Sequence, residues 1–154
     1  MSRTEFLEQI ACFQIKAPVH VVPIAESLNV PIYKNFDFPN NLSGLIKRED
    51  DDSYSIHVNG NHPSTRQRFT MAHELAHFVL HKDQIGDGIT DDYLYRSGMS
   101  NAAEREANQL AADILMPRHL LTSEHREGMT VDQLADLFWV SRMSMDIRLG
   151  EIVF

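Results

Sequence analysis

Apolar positions along the chain follow two different periods, and the change from one to the other outlines the fold. Three short runs with strand-forming character, Val30 to Tyr33, Leu42 to Lys47 and Tyr54 to Asn59, are separated by Asn, Asp, Gly and Pro. Runs of this kind bounded by turn residues predict strands, here a small antiparallel sheet. Ahead of them Val21, Ile24, Ala25 and Leu28 recur at i, i+3, i+4 and i+7, which predicts an amphipathic helix from His20 to Asn29. Pro23 then lies in its first turn, where no intrahelical N–H is needed.

Beyond the strands the period becomes helical. Ser64 is placed to cap a helix, with Gln67 as its capping-box partner. Phe69, Met71, Ala72, Leu75, Ala76, Phe78, Val79 and Leu80 then make that helix apolar on nearly every side. A helix of this composition is buried. A second helix is predicted to start at Asn101-Ala102-Ala103-Glu104, with Ala103, Ala107, Leu110, Ala111 and Ile114 on one face and Pro117 as its stop. Residues 82 to 100 form a long, polar, Gly-containing connection between the two, and such lengths are uncommon in compact domains unless functional. A wall or lid of a cleft is the expectation.

Near the end of the chain Thr130 can cap a helix with Gln133 as box partner, Met129 and Leu134 forming a hydrophobic staple and Leu134, Leu137 and Phe138 an apolar face. Val140-Ser141 restarts a second helix through Ile147 and Leu149. Residues 130–150 therefore read as a helix-turn-helix-like subregion, and a DNA-binding regulator is one function to weigh. Arg142 and Arg148 face Asp132, Asp136, Asp146 and Glu151 in this segment, a poor footprint for phosphate, and Trp139 stands in the turn where Gly is usual. Packing around the rest of the chain is the preferred reading.

Composition narrows the classes further. The 154 residues fit one domain, 1–154, with a 43% hydrophobic content that supplies an ordinary core. A net charge of −8 argues against unspecific attraction to nucleic acid. No apolar run reaches membrane-spanning length and no secretory pattern opens the chain, so no membrane partner and a cytoplasmic location are expected. The single Cys12 is expected to be a small hydrophobe in an N-terminal helix.

Chemistry enters with His73-Glu74-Leu75-Ala76-His77. Residues i and i+4 share a helix face, so both imidazoles can point a nitrogen at one zinc ion. Glu74, rotated about 100° from His73, sits beside the metal. There it can take a proton from water whose pKa zinc lowers to roughly 7, and pass it to a leaving amine. Chance would place this motif in roughly 3% of shuffled chains of the same composition, so the context must carry the rest. The context is the buried helix: an unbonded polar group there costs a few kcal/mol, and a metal satisfies all three side chains at once.

A catalytic zinc takes a third protein ligand and keeps one position open. Glu104 and Glu106 are the candidates; Glu104 is also a possible capping partner of Asn101, and spacing alone does not separate ligand from cap. Asn108, one turn after Glu104, can hydrogen-bond the second nitrogen of a ligating histidine, which favours Glu104. His81 repeats the spacing from His77 but lies about 12 Å along the helix from His73, too far to share one ion, and is read as a helix-end histidine on the dipole. His20, His62, His119 and His125 are read as surface residues. Tyr93, Tyr95, Arg96 and His57 are possible oxyanion partners, none of them singled out.

These motifs together resemble one family. Arg66-Gln67-Arg68-Phe69-Thr70 before the histidine motif, and Glu104 through Pro117 with its Glu104-Arg105-Glu106-Ala107-Asn108 opening, are similar to the ImmA/IrrE metallo-endopeptidases, and the likeness runs from about Pro18 to Gly150. Leu110 stands where that family more often has Phe, a difference in packing. The resemblance implies His73, His77 and Glu104 as zinc ligands and Glu74 as general base. It also implies a narrow protein substrate, often a helix-turn-helix repressor whose cleavage switches on mobile-element or stress genes. The expectation is thus an α+β, zincin-like domain, its sheet packed on the H-E-x-x-H helix, acting as a zinc endopeptidase on a cytoplasmic protein. The alternatives are the DNA-binding regulator and a zinc-containing protein-binding module of a toxin-antitoxin pair, against which the intact Glu74 speaks.

Overall fold

The computed structural model describes residues 1–92 and 99–152. Its centre is the helix expected from the all-round apolar pattern, α3, counted in chain order after α1 (Arg3–Gln9) and α2 (Val21–Ser27) and spanning Ser64–Leu80. Residues 70 to 77 are all buried, so every face of its middle two turns meets protein. Its start differs from the sequence reading. Pro63 is the N-cap, its carbonyl already accepting from the Gln67 N–H at 3.0 Å, which moves Ser64 into the first turn. Gln67 instead donates its side-chain amide to the carbonyls of Gly60 and His62 at 3.2 and 2.8 Å, tying the helix to the loop before it.

One side of α3 is covered by a sheet of β1 (Ile32–Asn35), β2 (Leu42–Arg48), β3 (Tyr54–Asn59) and β4 (Gly88–Asp92) in the order β1-β3-β2-β4. The β2–β3 and β2–β4 pairs are antiparallel, the first joined by a short connection and the second bringing together strands separated in the chain by β3 and α3. β1, however, pairs parallel to β3 with Ile32 opposite Ile56, so the sheet is mixed. Val30 lies before this strand and is buried, its apolar character serving the core rather than the ladder. β4 comes from the stretch expected to be an irregular connection, which also carries a short helix, α4 (Lys82–Ile85). Ile46, Ile56 and Val58 are fully buried core residues, whereas Lys47 is exposed and His57 partly so, the period-two alternation of a half-covered sheet.

The other side of α3 meets α5 (Asn101–Leu115), with α6 (Arg118–Arg126), α7 (Val131–Phe138) and α8 (Arg142–Glu151) completing the chain. Ser100, not Asn101, caps α5, accepting from the Ala103 N–H at 3.2 Å. Glu104 therefore falls one position beyond any capping-box partner, and its carboxylate is released from that duty. The expected capping box of Thr130 and Gln133 is present in both directions. Asp113 on α5 accepts from Arg148 of α8 at 2.9 Å and from Arg3 of α1, joining three helices. Cys12 lies exposed in a 3-10 turn (Ala11–Phe13) and not in a helix as expected, because α1 already ends at Gln9. Among the described residues no helix is long and apolar enough to cross a membrane.

Helix and sheet meet most closely at Gly44, where a Cβ would come within 2.6 Å of Thr70 Cγ2 and 2.7 Å of the His57 carbonyl oxygen. Both obstacles are held in buried elements, so Gly44→Ala is expected to destabilise the fold by about 1–3 kcal/mol through overpacking. Urea unfolding checks this. An unchanged midpoint would show that sheet and helix can separate freely at this point.

Candidate metal centre

The helical period brings His73 and His77 to one face of α3, and both are fully buried. Opposite them α5 presents Glu104. His73 Nε2 lies 3.1 Å from His77 Nε2, the Glu104 carboxylate lies 3.3 Å from the first and 3.1 Å from the second, and the three ligand atoms fall within 4.8 Å of one another. A tetrahedral ion with bonds of about 2.0–2.1 Å sets its ligands roughly 3.3–3.4 Å apart, so the spacing suits one.

The donor chemistry fits as well. His73 Nδ1 faces the side-chain oxygen of Asn108 at 2.8 Å, the contact expected from the sequence. An oxygen acceptor there fixes the ring proton on Nδ1 and leaves a lone pair on Nε2. His77 Nδ1 faces His81 Nδ1 at 3.0 Å, which likewise turns His77 Nε2 inward. Two inward lone pairs and a carboxylate make an electron-rich cradle for a divalent cation. Glu74, fully buried, follows His73 on the same helix, about 100° around its axis.

Other candidates are placed elsewhere. Glu106, the alternative ligand, is largely exposed and outside the trio; its carboxylate lies 3.5 Å from His81 Nε2. His81 stands at the end of α3 as expected, and it is also 4% exposed and bonded to His77 through Nδ1, a contact the sequence reading did not anticipate. The signal was available, because one further step of four residues puts it on the same face as His77; distance excluded ligation but not contact with a ligand. Burial, then His77, holds the His81 imidazole below its ordinary pKa.

His57 belongs to the opposite face of the sheet from Ile56 and Val58, bonded to Ser55 at 3.0 Å and stacked on Tyr33. Burial pushes its pKa down too. His62 is buried, contrary to expectation, with Nε2 against the Asn40 carbonyl at 2.8 Å. His20 and His125 are exposed, and His119 is exposed with Nε2 at 2.8 Å from the Gln14 carbonyl. Tyr93, Tyr95 and Arg96 lie outside the described residues. A groove of about 990 Å³ runs between α3, α5 and α8, with Asn108 and Glu106 on its wall and Phe69, Met143 and Ile147 lending it apolar surface; none of His73, Glu74, His77 or Glu104 lines it.

A mixed sheet under a buried H-E-x-x-H helix, with a glutamate delivered by a second helix, defines a zincin-like α+β fold. Residues 25–150 match the model of the IrrE N-terminal-like domain, Peptidase_M78, and the chain belongs to that family of metallopeptidases. Over 127 residues it is 27% identical to Metallopeptidase ImmA of Bacillus subtilis (strain 168), covering 79% of this chain and 72% of that protein. Among solved structures, a Mycobacterium tuberculosis transcriptional regulator superposes with a TM-score of 0.67 at 15% identity, over 96% of this chain. This chain spans 46% of that regulator's length, and the likeness is one of fold.

Removing the carboxylate of the trio should empty it. Glu104→Ala is expected to lose stoichiometric divalent metal, measured by elemental analysis of the purified protein after dialysis. Full retention would transfer the third position to Glu106 or to another residue.

Proposed function

We propose that the chain is a zinc-dependent endopeptidase that cleaves a specific cytoplasmic protein, of the helix-turn-helix repressor class. The observation that carries the reading is the convergence of His73 Nε2, His77 Nε2 and the Glu104 carboxylate in a buried site next to Glu74. All three ligand types suit zinc, and two imidazoles with one carboxylate leave the fourth position that a catalytic ion needs. Bound there, zinc would supply Lewis acidity toward a peptide carbonyl and a water made acidic enough to attack at neutral pH.

The chain's own residues do the rest. Glu74 accepts the proton of the attacking water and returns it to the departing amine nitrogen, a transfer that general acid–base catalysis rewards by about 10²–10⁴-fold. Asn108 keeps the His73 ring in one tautomer through its 2.8 Å bond. His73, Glu74 and His77 are fully buried, and the low dielectric of such surroundings strengthens charge interactions among them.

The membership of a metallopeptidase family and the similarity to Metallopeptidase ImmA support hydrolysis of a peptide bond. The repressor as substrate rests on the family resemblance of the motifs. A DNA-binding role for residues 130–150 draws little support from their cations. Arg148 is buried against Asp113 and the Met116 carbonyl, and Arg142 pairs with Asp132 at 2.9 Å.

The test compares new protein N-termini, proteome-wide, in cells carrying the native chain or Glu74→Gln. A few termini confined to the native chain are expected, and the variant is expected to bind zinc as the native chain does. Native and variant cells with identical termini under inducing and non-inducing conditions would sink the peptidase reading in favour of a binding module.

A further inference from the structure

We propose that His81, backed by Glu106, is the positioning residue for the metal-facing nitrogen of His77. The two imidazoles face each other through Nδ1 atoms 3.0 Å apart, and their ring centroids are 5.2 Å apart. At that distance one proton lies between the two nitrogens, since two N–H groups would collide and two lone pairs would repel. A proton on His77 Nδ1 leaves Nε2 with a lone pair directed at His73 Nε2 and Glu104. His81 Nδ1 is then the acceptor, and its own proton sits on Nε2, the atom that Glu106 Oε2 approaches to 3.5 Å. His81 thereby holds the arrangement that lets His77 bind a cation, and the Glu106 carboxylate adds an electrostatic contact at His81 Nε2 rather than a hydrogen bond.

The two histidines of the trio are oriented differently. The partner of His73 comes from α5, so that ring is set only when the two helices dock. The partner of His77 comes from α3 itself. His81 is the residue at which that helix ends, and its backbone N–H bonds to the His77 carbonyl at 2.8 Å. Main chain and side chain thus join the same two residues one turn apart, which fixes the ring-to-ring distance locally. Since His81 is 4% exposed, little water is available to replace it as acceptor. Glu106 is more exposed and more distant, so its share is smaller.

The inference rests on the zinc reading above. Its test measures zinc affinity by chelator competition for the native chain, His81→Ala, His81→Asn and Glu106→Gln, with thermal unfolding of each metal-free protein as a check on folding. Loss of the partner that orients a ligating histidine typically weakens metal binding 10–100-fold, which is the loss expected for His81→Ala. Asn places an acceptor oxygen near the position of Nδ1, so His81→Asn should recover most of the affinity, and Glu106→Gln should lose less than His81→Ala. Long-range ¹H–¹⁵N correlation spectra of the zinc-loaded native chain should show one proton on His77 Nδ1 and one on His81 Nε2. This arm decides the matter if His81→Ala does not fold. Native affinity in a folded His81→Ala, or a proton on His81 Nδ1, would overturn the positioning role while leaving the zinc site standing. A native chain that does not bind zinc would overturn the zinc reading and this inference together.

Discussion

The structure depends on one constraint: α3 is buried on all sides yet carries two imidazoles and a carboxylate in its middle turns. Polar groups in such a place must be bonded, at a cost of a few kcal/mol each where they are not. The fold meets this by aiming polar atoms of other segments at the two histidines. Asn108 and Glu104 come from α5, and His81 from the helix terminus. The sheet contributes the opposite kind of contact, with Ile46, Ile56 and Val58 forming an apolar floor. The two sides of the helix thus have separate duties, one chemical and one adhesive.

α5 must then be placed with ångström accuracy, because it supplies both a carboxylate to the trio and the partner of His73. Its apolar face of Ala103, Ala107, Leu110, Ala111 and Ile114 is fully or nearly fully buried, and three alanines allow a close approach to α3. Its far end is anchored by Asp113, held from two directions by Arg3 and Arg148, and by Gln14, which donates to the Asp113 and Ile114 carbonyls. Breaking a buried pair by removing one partner is strongly destabilising. The anchoring residues lie two to three turns from Glu104, so they act on the site through the rigidity of one helix.

Long periodic helices, the shared face of His73 and His77 and the contact of Asn108 with His73 were legible in the sequence because each follows from a helix period that burial does not alter. What was not legible depends on the tertiary partner. Ser64 and Asn101 are both plausible caps by residue type, but each helix begins one residue earlier, where the preceding residue has extended backbone and its carbonyl is free to accept. The shift decides the reading of Glu104, since a cap partner and a metal ligand differ there by a single position. The parallel pairing of β1 and the existence of β4 are choices among sheet edges, which strand-length patterns do not encode. His62 read as a surface residue and His81 as a helix-end histidine, and both are buried through a loop and a helix end whose course only the fold defines.

The C-terminal helix pair shows how a motif shape can serve packing. The turn between α7 and α8 requires a left-handed residue, and Trp139 occupies it with φ 55° and ψ 51°. For a bulky L-residue that conformation costs about 1–2 kcal/mol, a cost that needs compensation from its surroundings. α3 provides it. Arg68 donates to the carbonyls of Trp139 and Phe138 at 3.0 and 3.3 Å and stands 4.8 Å from the centre of the indole ring. Trp139 Nε1 in turn donates to Ser64 Oγ at 3.0 Å, giving that hydroxyl a use other than the cap it was expected to form. Burial lowers the Arg68 guanidinium to about 10, still well above neutrality, so the ring and carbonyls meet a cation under ordinary conditions. A turn held this way is fixed to the first two turns of α3, the helix that carries the two histidines of the trio. The helix pair thereby supports the helix that carries His73 and His77, the packing role expected of it, and Arg148 follows the same logic at the other end of the pair by securing Asp113.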